Sequence, residues 1–276
     1  MNDGNIIHLI IRAESNVELL EKIKSKVTLH VHDGTTEQLF NIVKKVKPDL
    51  VVHLAAAFVK HDERFQNIDE IVKSNILFGT QLVQSMIMNN VKYLLNTGTS
   101  WQHYNNKDYS PICFYSASKQ AYMDILKYYV EAHGLKVMTL KLFHTYGPFD
   151  NRNKLFCQLR RSIKKKTTIK MTPGEQKVDI VYIDDVVEAY LIASKRLMSK
   201  EYDRMEEFSI SAGKHISLKT LVSKYYKIKN ADENIIWGGN NYRPREEMIP
   251  YTNGQILPNW KPTISLDDGI RKMEGF

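Results

Sequence analysis

The stretch Leu50-Val-Val-His-Leu-Ala-Ala56 decides the fold class, because an apolar run of this kind is typical of a strand buried on both faces of a parallel sheet. A helical pattern precedes it at residues 36–46, which Pro48 closes, and another follows at residues 68–89. The remaining strands are predicted at residues 6–11, 27–31, 93–97 and 137–143, and the remaining helices at residues 17–26 and 115–133. This alternation predicts a doubly wound, Rossmann-like α/β sheet with ligands at the carboxyl ends of its strands.

The rhythm changes after Pro148, where basic and polar segments interrupt a strand at residues 178–183 and a helix at residues 186–196. The elements that follow are shorter and less regular. We therefore predict a dinucleotide-binding domain of residues 1–150 plus about 178–196, and a smaller substrate-binding lobe of residues 151–177 and 197–276.

The composition is that of a soluble globular protein, since the 276 residues are 43% hydrophobic and 25% charged. No run of about 18 apolar residues and no charged-then-apolar leader pattern occurs, so we expect neither membrane insertion nor secretion. Cys113 and Cys157 form no disulfide framework and no metal-ligand spacing. They favour packing roles in a reducing cytoplasm, and no metal site is predicted.

The net charge of +8 comes partly from one short basic stretch between Arg160 and Lys170. This stretch has no interleaved aromatic residues, which argues against a nucleic-acid partner. Two interpretations remain open for it. It is either a solvated helix face followed by a loop, or a positive field that steers a phosphate-bearing small substrate.

The segment Tyr115-Ser-Ala-Ser-Lys119 carries the chemistry, because its tyrosine and lysine share one face of a predicted helix. An ammonium near a phenol is expected to lower the pKa of the tyrosine toward the working range. Thr99 lies sixteen residues upstream, just past a predicted strand, where its hydroxyl could bind the same substrate oxygen. The set predicts proton exchange with a ketone or carbinol oxygen while a hydride moves on carbon.

The order of Thr99, Tyr115 and Lys119 resembles the Ser/Thr–Tyr–Lys triad of short-chain dehydrogenases/reductases. Further segments resemble the extended branch of that family, the NAD-dependent epimerase/dehydratase family, in the same order along nearly the whole chain. These segments are His53-Leu-Ala-Ala56, Asn75-Ile-Leu-Phe-Gly-Thr80, Leu142-Phe-His-Thr-Tyr-Gly-Pro148, Asp179-Ile-Val-Tyr-Ile-Asp-Asp185, Asn259-Trp-Lys-Pro262 and Ser265-Leu-Asp-Asp-Gly269.

The resemblance implies a set of cofactor-binding residues, namely Leu54, Ala55, Ala56, Asn75, Tyr115, Lys119 and His144. It also places Arg12, with Ser15 nearby, at the strand end that meets the adenosine ribose. A guanidinium there would pair with a 2′-phosphate, so NADP(H) is favoured over NAD(H). Asp33 would accept a hydrogen bond from the adenine amino group or simply cap a turn.

One family feature is missing, because Met1-Asn-Asp-Gly-Asn5 leads straight into the strand that should be second, without the family's first strand and glycine-rich turn. Three explanations stay open: a truncated chain, a segment from a partner or a rearranged N-terminus that fills the gap, or a degenerate member. We expect a chain without these parts to bind dinucleotide weakly and to anchor its first two strands poorly.

The resemblance further implies a nucleotide-diphosphate sugar as substrate, bracketed by Arg243 and Arg245 and contacted by Ser100, Trp101 and His144. The 4,6-dehydratases of the family carry Asp-Glu after the catalytic threonine, where this chain has Ser100 and Trp101. We therefore expect reduction of a 4-keto-6-deoxy sugar nucleotide, similar to the CDP-abequose and CDP-paratose synthases. The alternatives are 4-epimerisation and a non-catalytic binding or scaffold role. A homodimer through the helices bearing Asn75 and Tyr115 is also expected.

Overall fold

The computed structural model describes residues 4–58, 65–150, 152–199, 202 and 204–275. Its strands are β1 (Ile7–Arg12), β2 (Val27–His32), β3 (Val51–His53), β4 (Tyr93–Thr99), β5 (Lys136–Leu142), β6 (His144–Tyr146), β7 (Ile169–Met171), β8 (Lys177–Val178), β9 (Ile180–Tyr182), β10 (Met205–Ile210), β11 (Ile216–Ser217) and β12 (Ile235–Trp237). Its α-helices are α1 (Thr36–Val46), α2 (Phe65–Ile71), α3 (Phe78–Met88), α4 (Phe114–His133), α5 (Leu155–Lys165), α6 (Ile183–Leu197), α7 (Leu218–Ile228) and α8 (Leu266–Glu274).

The main sheet has four parallel strands in the order β10-β5-β4-β3. Successive residues of β4 point to opposite faces, so Leu94 packs in the core with α3 and α4, and Leu95 in the core with α6. Helices therefore cover both faces of a parallel sheet, as predicted for a doubly wound fold. The strand ends that carry Thr99 and His53 lie at the same carboxyl edge.

Strand β3 differs from its prediction. It is three residues long and pairs only with β4 among the described residues. Val52 is 43% exposed and Leu54 is 63% exposed, so burial on both faces was wrong for this stretch. The stretch lies at an edge of the four-stranded sheet, where no described strand lies beside it, so part of its surface stays open to solvent.

Strands β1 and β2 form a separate two-stranded parallel sheet. The segment between them, Glu18–Lys26, is a 3₁₀ helix rather than the predicted α-helix, and none of its residues is buried. Ile10 of β1 packs against the core beneath α1 and α3, which attaches this sheet to the rest of the molecule. Among the described residues, β1 is hydrogen-bonded along only one edge.

The predicted helix at residues 68–89 is continuous but not uniform. Its middle, Val72–Leu77, is π-helical and joins α2 to α3. A π-helical turn places one extra residue in the helix and turns its side chains relative to the flanking turns. Asn75 lies in this turn and is buried, which matters for the site described below.

A further core cluster has partly or fully buried side chains from α5, β7, α7, β12 and α8, together with Tyr146 and Tyr182. Asp185 of α6 ties the C-terminal segment to the sheet. Its carboxylate accepts hydrogen bonds from the amide and hydroxyl of Thr263 and from the amide of Ile264, and its carbonyl accepts one from the Trp260 indole. One strand departs from the predicted division, because β10 extends the main sheet although it lay within the range assigned to the lobe.

The basic stretch is divided between two environments. Arg161, the lysines at the end of α5 and Lys170 are exposed, as expected of a solvated face. Arg160 instead forms an ion pair of 2.8 Å with Glu274, which Lys229 also contacts at 2.9 Å. Both cysteines are free thiols. Within the described ranges, no helix is both long enough and apolar enough to cross a membrane.

Candidate active site

Thr99 ends β4 and begins a short 3₁₀ helix, Ser100–Gln102. Its hydroxyl oxygen accepts the amide of Trp101 at 3.3 Å, and its own amide donates to the Gln102 side chain at 3.1 Å. A threonine at this position is favoured because its side chain satisfies an amide that the helix leaves unpaired. The hydroxyl hydrogen is not needed for this cap, so Thr99 can still donate a hydrogen bond.

Tyr115 and Lys119 lie in the first two turns of α4. Burial, with a smaller contribution from the Cys113 thiol, raises the pKa of Tyr115 to about 12. Burial likewise lowers the pKa of Lys119 to about 8. The predicted lowering of the tyrosine pKa by Lys119 was therefore wrong for this structure, because burial disfavours the charged form of both groups. Tyr115 is a protonated phenol at neutral pH.

Residues 54–58, here called the strap, run from β3 along α4. Asn75 fastens the strap by a pair of bonds to Ala57, whose amide donates at 2.8 Å and whose carbonyl accepts at 3.0 Å. The side-chain NH₂ group of Asn75 also donates to the Ser118 hydroxyl at 2.9 Å. The side chain of Asn75 is thus fully used within the protein. Its predicted cofactor contact would have to be made through the strap.

The strap itself is accessible. Leu54, Ala55 and Ala56 are exposed at the carboxyl end of β3, which is the position expected to pass beneath a cofactor. Lys119, by contrast, is 2% exposed, and its ammonium has no hydrogen-bond or ion-pair partner among the described residues. These features suit the nicotinamide end of a dinucleotide, which would take hydrogen bonds from the ammonium and lie against small strap residues.

An aromatic wall lines the space beside Tyr115. The ring of Phe58 meets the Tyr115 ring edge-on at 4.9 Å and lies 5.8 Å from the Trp101 ring, which in turn meets His144 at 5.8 Å. Trp101 and His144 were predicted to contact substrate, and His144 is exposed there. Ser100, predicted with them, is buried. Phe58 was missed, because a single aromatic residue in a loop carries no signal of its own.

The residues predicted for the adenosine end have partners within their own segment. The guanidinium of Arg12 lies 3.2 Å from the Glu14 carboxylate, both well exposed. The Ser15 hydroxyl accepts the Arg12 amide at 3.0 Å. Asp33 accepts the amide and hydroxyl of Thr35, which hold the pKa of its carboxyl below its usual range. Asp33 therefore caps the turn before α1, the plainer of the two roles considered for it.

The two arginines of the second lobe are placed differently from each other. Arg245 donates to the Ser110 hydroxyl at 2.8 Å and stacks over the Tyr104 ring at 4.3 Å, so it reaches the loop that follows Thr99. Arg243 is exposed, and its amide lies 3.4 Å from the Glu246 carboxylate. The segment that carries both is tied to the same loop by Asn106, which bonds the amide and the hydroxyl of Thr252.

Thr99 thus ends a strand of a parallel sheet, and Tyr115 and the buried Lys119 lie in the first turns of the next α-helix. The parallel sheet with helices on both faces defines a Rossmann-type α/β protein. The chain belongs to the NAD dependent epimerase/dehydratase family, whose model matches residues 1–206. It is by family a nucleotide-sugar-modifying enzyme, as the sequence predicted.

Known relatives agree with this assignment. The chain is 30% identical to a CDP-abequose synthase of Salmonella muenchen over 227 residues, which cover 81% of this chain and 75% of that protein. It superposes on the UDP-glucose 4-epimerase of Thermotoga maritima with UDP-glucose at a TM-score of 0.82, with 20% identity and coverage of 99% and 90%. The UDP-glucose 4-epimerase of Thermus thermophilus in complex with NAD gives 0.78, with 18% identity and coverage of 96% and 89%. The structural likenesses support the fold.

Proposed function

We propose that this protein reduces the 4-keto group of a 6-deoxy sugar nucleotide to an alcohol, with NADPH as the preferred hydride donor. The observation that carries the proposal is the protonated Tyr115 beside an aromatic wall, with Ser100 and Trp101 where a dehydratase would need two carboxylates. The similarity to a CDP-abequose synthase supports the same reaction class.

In this proposal each residue of the triad has a defined task. The hydroxyl of Thr99 donates a hydrogen bond to the ketone oxygen and orients it. Tyr115 gives its phenolic proton to that oxygen. Burial raises its pKa to about 12, so the phenol is protonated at neutral pH, and a nearby positive charge is needed to favour release of the proton. A reduced nicotinamide, when bound, would supply the hydride to C4, and with the proton from Tyr115 the product would carry one new C–H and one new O–H bond.

Lys119 has two tasks that follow from its burial. Its ammonium would bind the hydroxyls of the nicotinamide ribose, since it has no competing partner among the described residues. It would also stabilise the phenolate that Tyr115 becomes once its proton has left, because a positive charge close to the oxygen favours the ionised form. The proton is then replaced from solvent before the next turnover.

The aromatic wall supports a 6-deoxy sugar. Phe58 and Trp101 place two largely apolar rings beside Tyr115. A methyl group at C6 can pack against such a surface, whereas a hydroxyl or carboxylate would lose its water there without gaining a partner. Arg245, whose partners are neutral, would meet the diphosphate, with Arg243 beside it.

Cofactor choice and assembly are parts of the same proposal. Arg12 lies at the end of β1, where a guanidinium would pair with the 2′-phosphate of NADPH. We also propose a homodimer that forms through α3 and α4, a pair of helices that leaves Met88 and Tyr128 exposed. Light scattering on the purified protein measures its molar mass in solution and so tests the proposed homodimer.

The function is tested by incubating the protein with CDP- and dTDP-linked 4-keto-6-deoxyglucose and with stereospecifically deuterated NADPH. Reduction predicts that deuterium appears at C4 of the sugar and that NADP⁺ forms in equal amount. In a parallel incubation with a 4-hydroxy sugar nucleotide, inversion of the 4-hydroxyl without label from added cofactor would instead identify a 4-epimerase. Binding of both ligands without any conversion would identify a binding protein and overturn the proposal.

A further inference from the structure

His53, the last residue of β3, is a buried imidazole that the proposed chemistry does not use. It is 2% exposed, and its Nε2 atom has no hydrogen-bond partner among the described residues. Buried polar atoms are almost always paired, so an orphan nitrogen points to a bound water or a functional role. The pKa of His53 is lowered to about 3 by burial and by the nearby charge of Lys119, so the ring is neutral and one ring nitrogen is an acceptor.

The path of the chain after His53 shows why Lys119 lies near His53. The ring of His53 packs against Tyr122 at 5.4 Å, which lies three residues after Lys119 on the same face of α4. Further along the strap, Asn75 joins Ala57 to Ser118, the residue before Lys119. Lys119 thus lies on α4 between the residues that make these two contacts. It is 2% exposed, and its charge acts on His53.

The other ionisable groups around this pair already have partners or face away. The Tyr122 hydroxyl donates to the Gly79 carbonyl at 3.2 Å. His32 approaches Phe78, the other ring that contacts His53, and its own Nε2 lies 3.1 Å from the Thr35 carbonyl. Tyr115 lies one helical turn before Lys119 and is protonated. No carboxylate of the described residues acts on Lys119, whose lowered pKa has burial as its cause.

We propose that His53 is a positioning residue that keeps Lys119 in its ammonium form, with the Nε2 lone pair accepting a hydrogen bond from that ammonium through one water molecule. A neutral acceptor stabilises a buried positive charge without adding a second charge. The arrangement opposes the effect of burial, which would otherwise release the proton of Lys119 closer to neutral pH.

The sign of the effect follows directly. Burial alone lowers the pKa of Lys119 to about 8. An acceptor that favours the charged form raises the pKa above that value, so loss of the acceptor lowers it again. We expect His53→Phe to lower the Lys119 pKa by about one unit, the range of a hydrogen bond to a charged group. Phenylalanine keeps the ring contacts with Phe78 and Tyr122 but offers no acceptor. His53→Gln restores an oxygen acceptor near the position of Nε2 and should keep the pKa within about 0.3 unit of the wild type.

The experiment is a pH titration of the protein labelled with ¹³C at lysine Cε, in which the Lys119 signal is identified by its loss in Lys119→Met. The matched control is His32→Phe, the same substitution in the other histidine that contacts Phe78, and it should leave the Lys119 titration unchanged. An identical Lys119 titration in His53→Phe and wild type would overturn the proposal, as would an equal shift in His32→Phe.

A second measurement tests the same coupling even if the His53→Phe variant does not fold. In Lys119→Met, the ¹⁵N signal of His53 should move, because its Nε2 loses the hydrogen-bonded neighbour, and an unmoved signal contradicts the coupling. Only the catalytic consequence rests on the proposed reduction: the alkaline limb of its pH–rate profile should move down with the Lys119 pKa in His53→Phe. If the protein reduces no substrate, the two titrations still decide the role of His53.

Discussion

The two ends of the candidate cofactor site are built in different ways. At the nicotinamide end, Asn75, Thr99 and Lys119 are buried and lie on β4 and on helices that share a core. At the adenosine end, β1 and β2 form a ribbon of two strands, and the helix between them buries no residue. The pair Arg12 and Glu14 is exposed at that end.

This difference teaches that the chemistry and the recognition of the cofactor depend on different forces. The proton-transfer groups are held by packing, so their geometry is fixed before any ligand arrives. The ribbon is held by one ladder of hydrogen bonds and a few apolar contacts such as that of Ile10. Segments with few buried contacts open at a low free-energy cost, so the adenosine end is the part of the site that ligand binding would have to order.

The largest expected effect concerns the packed end. Tyr115→Phe removes the proton donor but keeps the ring contact with Phe58, so the fold should be unaffected. We expect turnover of the 4-keto sugar nucleotide to fall by about 10² to 10⁴, the range that a positioned acid contributes. Steady-state kinetics beside a thermal melt measures both points. Normal turnover in a folded Tyr115→Phe protein would remove Tyr115 from the mechanism.

Hydrogen exchange compares the two ends in one experiment. We expect the amides of β1 and β2 to exchange at least about 10²-fold faster than those of β4 and β5, because sub-global opening of a thinly covered segment costs less free energy than global unfolding. Mass spectrometry of peptides from residues 7–32 and 93–142 gives both rates. Equal protection would show that the ribbon is as firmly held as the main sheet, and the contrast drawn above would fail.

Sequence periodicity identified the packed end well. The helix carrying Tyr115 and Lys119 was predicted to begin within one residue of its observed start, because apolar spacing over twenty residues leaves little freedom. The same reasoning failed at residues 50–56, since an apolar run reports side-chain character and not which neighbours exist. It failed again for the Tyr115 pKa, which depends on burial that only the folded chain creates.

The residues that the sequence did not reveal share one property. Phe58 and His53 act through contacts with residues more than forty positions away, on α4 and after β4. The family resemblance named Asn75, but its actual partners, Ala57 and Ser118, became visible only in the structure. Local patterns predict elements and motifs, whereas the support of a site comes from tertiary contacts that no spacing rule encodes.

A matched pair of substitutions sharpens the contrast in packing. Val137→Ala removes two methyl groups at a fully buried position of β5 and should lower the free energy of unfolding by about 2 kcal/mol. Val52→Ala makes the same change on β3, where the side chain is 43% exposed, and should cost about 0.5 kcal/mol or less. Urea denaturation measures both. A cost at Val52 equal to that at Val137 would mean that another molecule covers this strand in solution.

The smallest expected effect lies at the adenosine end, where Glu14 competes with a 2′-phosphate for the guanidinium of Arg12. An exposed ion pair contributes about 0.2 to 1 kcal/mol, so Glu14→Gln should strengthen NADPH binding by about 1.5- to 5-fold and leave NADH binding unchanged.

Arg12→Asp should act in the opposite direction and favour NADH, whose ribose hydroxyls a carboxylate can bind. Titration calorimetry of wild type and both variants with each cofactor separates these effects. Lys24→Gln is the control for a general change in charge, because Lys24 is exposed in the 3₁₀ helix between β1 and β2 and pairs with Glu21. Equal affinity of the wild type for the two cofactors, unaltered in Arg12→Asp, would show that the end of β1 does not select the cofactor.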